Sequence, residues 1–170
     1  MKIKEKQSIL SNFVYTGNVI TIRKEGTNAM KKRIVVPVDK SSHSYKAFQF
    51  AVNLAREIDG QILLLNVQPD LRTPNVLRYV SEEKIEEYLS VEANGILDHA
   101  LEHTDCTGVP VKRFIRTGVP KAEICRLAKD FDAYCIVMGS RGMGPVKSTV
   151  LGSVSLGVLQ LAPCPVTIVP

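Results

Sequence analysis

The chain has 170 residues, 45% of them hydrophobic and 23% charged, with four Cys and no Trp, a composition that excludes a fibrous or wholly disordered protein. The length holds one domain of about 140 residues plus a short extension, and a domain of that size buries enough surface to fold without disulfides or metals. The net charge of +5 sits at the front, where eight Lys and Arg face only Glu5 and Glu25 in the first 33 residues; the rest has no basic excess to grip a phosphate backbone, so no nucleic-acid partner is expected, although the front end can meet an acidic surface.

Residues 1–29 form an extension in which Phe13-Val14-Tyr15-Thr16 and Val19-Ile20-Thr21-Ile22 flank Gly17-Asn18. That pattern predicts a small hairpin, which alone is marginal in water and must dock or fray. Met30, followed by a basic dipeptide and a strand, marks the expected start of a domain over residues 30–170. From there short β-rich runs alternate with amphipathic stretches, the pattern of an open parallel sheet with helices on both faces. The first strand is Arg33 to Val38. Ser41 to Ser44 opens a helix whose Ala47, Phe48, Ala51, Leu54, Ala55 and Ile58 recur at helical spacing, and Asp59-Gly60 stops it. The second strand is Ile62 to Val67. A polar connection, Gln68 to Val80, leads into a long helix beginning at Ser81-Glu82-Glu83-Lys84, with Ile85, Leu89, Ile96, Leu97, Ala100 and Leu101 on one face. The third strand is Val109 to Ile115. Gly118-Val119-Pro120 turns the chain into a helix near Lys121 to Phe131, and Ala133 to Met138 reads as a buried fourth strand. A last helix is predicted from Ser148 to Leu161, and a fifth strand from Pro165 to Val169.

Cysteines 106, 125, 135 and 164 are spaced too irregularly for a CxxC redox or zinc pattern, and three of them lie among apolar residues, where Cys packs as a small hydrophobe. The apolar runs are only strand-length, and the first 30 residues lack a signal-peptide core. A cytoplasmic protein with no membrane attachment is the expectation. His43, His99 and His103 form no metal set with a third group.

The informative segment is Gly139-Ser140-Arg141-Gly142-Met143-Gly144-Pro145-Val146-Lys147-Ser148-Thr149-Val150-Leu151-Gly152-Ser153, between a buried strand and a helix. In an open parallel sheet ligands sit at the carboxyl ends of the strands, where connections diverge. Glycines let backbone amides approach an anion, Ser153 adds a hydroxyl near a helix start, and Arg141 adds a permanent positive charge. These are the parts of a polyphosphate cradle. Two familiar phosphate motifs do not fit: Val146 stands where a P-loop needs Gly before Lys147-Ser148, and Pro37-Val38-Asp39 stands where a dinucleotide fingerprint needs GxGxxG.

The spacing G-x2-G-x9-G-S, read as Gly139, Gly142, Gly152 and Ser153, resembles that of the universal stress protein family. The resemblance runs from Met30 to the C-terminus and includes Val36-Pro37-Val38-Asp39, the helix opening from Ser41 to Ala55, Gly118-Val119-Pro120 with Glu123-Ile124, Ser153-Val154-Ser155, and Ala162-Pro163-Cys164-Pro165-Val166. It implies a Rossmann-like α/β fold related to the adenine-nucleotide α-hydrolases, with five parallel strands in the order 3-2-1-4-5 and helices on both faces. It also implies ATP as ligand, with ADP or AMP as alternatives and Mg2+ accompanying the nucleotide. Carried over by position, Pro37, Val38, Asp39 and Val67 would line the adenosine pocket, and Met138, Gly139, Arg141, Gly142, Gly152, Ser153 and Val154 would hold ribose and phosphates. Asp39 suits either a ribose hydroxyl or a water on Mg2+, and it equally suits an N-cap, although Ser41 and Ser42 are available for that task. The fifth strand would be an exposed edge that family members pair with a twin, which makes a homodimer the expectation.

Apart from Arg141 the motif offers no base or charge-neutralising group for fast hydrolysis, so no catalytic residue is assigned and at most slow ATPase activity is expected. A nucleotide-independent interaction module is the alternative. An α-hydrolase-type enzyme ranks last, because the SGGxDS-type loop after the first strand is replaced by Val38-Asp39-Lys40-Ser41-Ser42.

Overall fold

The structure is a computed structural model that describes residues 31–142 and 151–170, together with the backbone of two strands in the extension. The chain divides into two compact units, Met1–Met30 and Lys31–Pro170. In the first, β1 (Phe13–Thr16) and β2 (Val19–Ile22) pair antiparallel, with Phe13 opposite Ile22 and Thr16 opposite Val19. Those are the two runs that the sequence marks as a hairpin.

The second unit runs β3 (Arg33–Pro37), α1 (Ser42–Glu57), β4 (Gln61–Gln68), α2 (Pro74–Leu77), α3 (Glu82–Glu102), β5 (Val111–Thr117), α4 (Pro120–Asp130), β6 (Cys135–Gly139), α5 (Ser153–Leu161) and β7 (Val166–Val169). Its five strands are parallel in the order β5-β4-β3-β6-β7, which is the expected 3-2-1-4-5. Parallel neighbours need crossover connections, and the helices supply them.

Alternation along each strand sends side chains to two cores. Ile34 and Val36 of β3 pack with Ile62 and Leu64 of β4 against Ala47, Phe48 and Ala51 of α1 and Leu97 of α3. Val35 and Leu63 point the other way, against Ile124 and Leu127 of α4 and Val158 of α5. A fully buried side chain of this size stabilises by about 1.5–3 kcal/mol, so the two apolar layers outweigh any single polar contact. Among the described residues no helix is long and apolar enough to cross a membrane.

Three element starts lie two or more residues from the sequence expectation. β5 starts at Val111 rather than Val109, because the chain turns at Val109, whose N–H donates to the Cys106 carbonyl, and Pro110 offers the sheet only its carbonyl, which accepts from the Ile62 N–H at 2.9 Å. β6 starts at Cys135, after a left-handed turn at Asp132 (φ +46°). α5 starts at Ser153, leaving out Leu151 and Gly152 of the expected helix: Gly152 is extended (φ −65°, ψ 156°), and its N–H donates to the Ser140 carbonyl.

Candidate functional site

β3 pairs with β4 on one side and β6 on the other, so the connections leaving β3 and β6 diverge. A hollow of about 140 Å3 opens where they part, lined by Pro37, Val38, Asp39, Ser44, Val67, Pro120, Ile124, Met138, Gly139, Gly142, Val154 and Ser155. Eight of the eleven residues expected from the sequence meet there: Pro37, Val38, Asp39, Val67, Met138, Gly139, Gly142 and Val154. Arg141, Gly152 and Ser153 do not line it, and lie on the two ends of the loop beside it. Residues 143–150, including Lys147 and the proposed helix start at Ser148, lie outside the described residues.

The floor is apolar, from Val38, Val67, Ile124 and Met138, and the rim is polar. Ser41 is the N-cap of α1, its hydroxyl accepting from the Ser44 N–H at 3.2 Å. Capping therefore does fall to a serine, but Asp39 is not left free. Its Oδ1 accepts from the Ser41 N–H at 2.9 Å and from the Ser41 hydroxyl, while the Ser44 hydroxyl donates to the Asp39 carbonyl at 3.0 Å. Its charge also acts on Tyr45: burial first, and the Asp39 charge second, hold the Tyr45 hydroxyl above the usual tyrosine range.

The loop is clasped at its two ends. The Ser140 N–H donates to the Val169 carbonyl at 2.7 Å, and the Ser140 carbonyl accepts from the Gly152 N–H at 2.9 Å. The buried Ser155 hydroxyl reaches the carbonyls of Gly139 (3.0 Å) and Ser140 (3.2 Å). On the other side, the Ser41 hydroxyl comes within 3.4 Å of the Arg141 carbonyl.

The three motif glycines do different jobs. A Cβ on Gly139 would lie 2.8–2.9 Å from the main chain and Cβ of His43, so this glycine lets β6 pass against the first turn of α1. A Cβ on Gly142 would lie 2.6 Å from the Asp39 carboxylate. A Cβ on Gly152 would meet nothing closer than 3.4 Å. Close approach to an anion is therefore the remaining argument at Gly152 alone; at the other two, packing already demands glycine.

Sequence reasoning missed four lining residues. Ser44 and Ser155 sit in helix first turns, where a Ser-rich opening was the available signal, and Pro120 and Ile124 belong to α4, whose 3.6-residue period aims them at the sheet. A wider groove of about 510 Å3 lies between α1 and α3, walled by Tyr45, Ile96 and His99 and by Lys40 and Glu92, which are paired at 2.9 Å. It contains none of the eleven expected residues. No cluster of three or more His, Cys, Asp or Glu able to hold a metal exists among the described residues.

Similar proteins have the same organisation. The universal stress protein of Lactobacillus plantarum, UspA, superposes with a TM-score of 0.68 at 30% identity, over 84% of this chain and all of that one. The universal stress protein of Archaeoglobus fulgidus solved in complex with dAMP shares the fold at a TM-score of 0.60 and 22% identity, over 82% of this chain and 98% of the other. Universal stress protein YxiE of Bacillus subtilis is 36% identical over 147 residues, 82% of this chain and 99% of that protein. The universal stress protein family model matches residues 30–170, the same stretch that carries the reversed strand order and the clasped glycine loop, and the chain belongs to that family.

Proposed function

We propose that the protein binds an adenine nucleotide, ATP first with ADP or AMP as alternatives, and that occupancy changes its conformation or its contacts with partners, with little hydrolysis of its own. The observation that carries this is the convergence of eight residues from three strand ends and α5 on one hollow beside the glycine loop. The family neighbour solved with dAMP shares the fold at 22% identity; what supports the ligand here is this chain's own site.

The dimensions favour a split ligand. At about 140 Å3 the hollow is below the roughly 300–1,000 Å3 of a site that encloses a whole ligand. It suits a base and part of a sugar against Val38, Val67, Ile124 and Met138, with the phosphates leaving toward Arg141, Gly142, Gly152 and Ser153. The free side of the Asp39 carboxylate suits a ribose hydroxyl or a water on the Mg2+ that a nucleotide carries. Among the described residues Asp39 is the only carboxylate in the lining, and the Ser44 and Ser155 hydroxyls already donate to carbonyls. Among the described lining groups the one candidate base is the Asp39 carboxylate, which already accepts twice from Ser41, and this favours holding the nucleotide over turning it over.

Calorimetric titration with ATP, ADP, AMP and cyclic AMP, with and without Mg2+, tests the reading. Gly152→Val adds a branched side chain on the phosphate path and should abolish ATP binding while the protein stays folded; unchanged affinity overturns the cradle. Single-turnover hydrolysis at about one per second or faster would overturn the regulatory assignment. The edge strand β7 and the exposed Leu156 and Leu159 of α5 support pairing with a second copy, and sedimentation at the mass of one chain would overturn that.

A further inference from the structure

Seven basic side chains of the domain are already committed: Lys31, Lys40, Arg56, Arg72, Arg113, Arg116 and Arg126 each hold a carboxylate within 3.5 Å. Two basic residues next to the hollow are not: among the described residues neither Arg141 nor Lys121 makes an ion pair. Arg141 belongs to the loop motif. Lys121 belongs to no motif, and its placement is specific.

Lys121 lies in the first turn of α4, directly after Pro120, which lines the hollow. Its stem lies across α5 at Gly157: a Cβ on that glycine would stand 2.6 Å from the Lys121 Cδ, 3.3 Å from its Cβ and 3.5 Å from its Cγ. Gly157 is buried and comes one turn after Val154, the residue through which α5 lines the same hollow. Glycine inside a helix is unfavourable relative to alanine, and here its missing side chain leaves the slot in which the lysine methylenes lie. Helical side chains slant toward the N-terminus of their own helix, which for α4 is the end that meets the hollow. The stem is thus seated before any ligand arrives, so little rotamer freedom remains to be lost on binding.

We propose that Lys121, seated in the slot left by Gly157, binds the terminal phosphates of the nucleotide on the α4 side of the opening, with Arg141 on the loop side, and so sets a preference for polyphosphate over nucleoside. The proposal rests on the nucleotide reading above. It adds a cation that the glycine motif does not contain, and it assigns a purpose to a helical glycine outside that motif.

The test is calorimetry on the full chain with ATP and with adenosine at two salt concentrations. Lys121→Ala should weaken ATP roughly five- to tenfold, as expected for loss of one charge-assisted contact at a partly exposed site, and flatten the salt dependence, while adenosine changes less than about twofold. Lys121→Arg should retain most of the ATP affinity. Gly157→Ala, which displaces the stem without removing the charge, should weaken ATP in the same direction and spare adenosine. ATP binding by Lys121→Ala at the wild-type affinity and salt slope overturns the proposal, as does an equal loss for adenosine, which would mark a structural role. If the wild-type protein binds neither ligand, the nucleotide reading itself falls. Thermal melts of each variant establish that the folded state is being compared.

Discussion

The carboxylate of Asp39 stands where a side chain on Gly142 would begin, its Oδ2 2.6 Å from the position of a Cβ at residue 142. Its other oxygen accepts from the main chain and hydroxyl of Ser41. One short side chain therefore joins the cap of α1 to the start of the glycine loop.

That contact predicts a coupling. Gly142→Ala must push the carboxylate away, and Ser41 restrains it from moving, so the substitution should cost about 1–2 kcal/mol. In an Asp39→Ala background the obstacle is gone, and the cost should shrink by at least about 0.5 kcal/mol. A double-mutant cycle by urea denaturation measures this. Strict additivity would mean that the two residues do not press on each other.

The glycines at the two ends of the loop should separate stability from binding. Gly139→Ala places a methyl group 2.8–2.9 Å from the main chain of His43, and a helix backbone yields less easily than a side chain, so about 1–3 kcal/mol should be lost. Gly152→Ala meets ordinary contact distances and changes an N-cap, where the loss should stay below about 1 kcal/mol. Equal denaturation midpoints for the two variants would contradict this ordering.

A buried polar ladder backs the site from the α1 and α3 side. Asn66 donates from Nδ2 to the Val38 carbonyl at 2.8 Å, and Gln68 donates from Nε2 to the Asn66 Oδ1 at 2.7 Å. Asn66→Leu would leave both partners unpaired in a buried setting and should cost about 1–3 kcal/mol. It should also weaken nucleotide binding, because Val38 and Asp39 lose the bond that holds their shared peptide. A variant as stable as wild type would show that the ladder is dispensable.

The thiols should be quiet. Burial pushes Cys135 up from 9.0 to about 11, and burial likewise raises Cys106, Cys125 and Cys164. Thiolate is the reactive form, so at pH 7.5 the native protein should react with an aromatic disulfide reagent far more slowly than the unfolded chain. The folded state binds the Cys135 proton more tightly than the unfolded state, so stability should fall as pH rises from about 9 to about 11 and then level off. Cys135→Ala should reduce that slope. A fast native reaction at Cys135, read by mass spectrometry, would refute the assignment.

Most of the fold was legible because it rests on local periodicity. The strand of Arg33 to Val38 and the helix bearing Ala47, Phe48, Ala51 and Ala55 announce themselves by alternation and by 3.6-residue spacing, and each lies within about a residue of its expected bounds. β5 was displaced by two residues because Val109 is drawn into a turn with Cys106 and Pro110 has no N–H to give the sheet, so pairing with β4 begins at Val111.

The candidate site divides in the same way. Chain order placed the glycine loop after the fourth strand of the domain, where a parallel sheet brings strand ends and their loops to one edge, and the resemblance to the universal stress protein family, carried over by position, named eight of the residues that meet in the hollow. Only the tertiary structure decided what each glycine is for. The atom that fills the space of a missing Cβ belongs to a residue distant in the chain: His43 for Gly139, Asp39 for Gly142 and Lys121 for Gly157. Spacing records where a side chain is absent, whereas packing alone determines which neighbour needs the room.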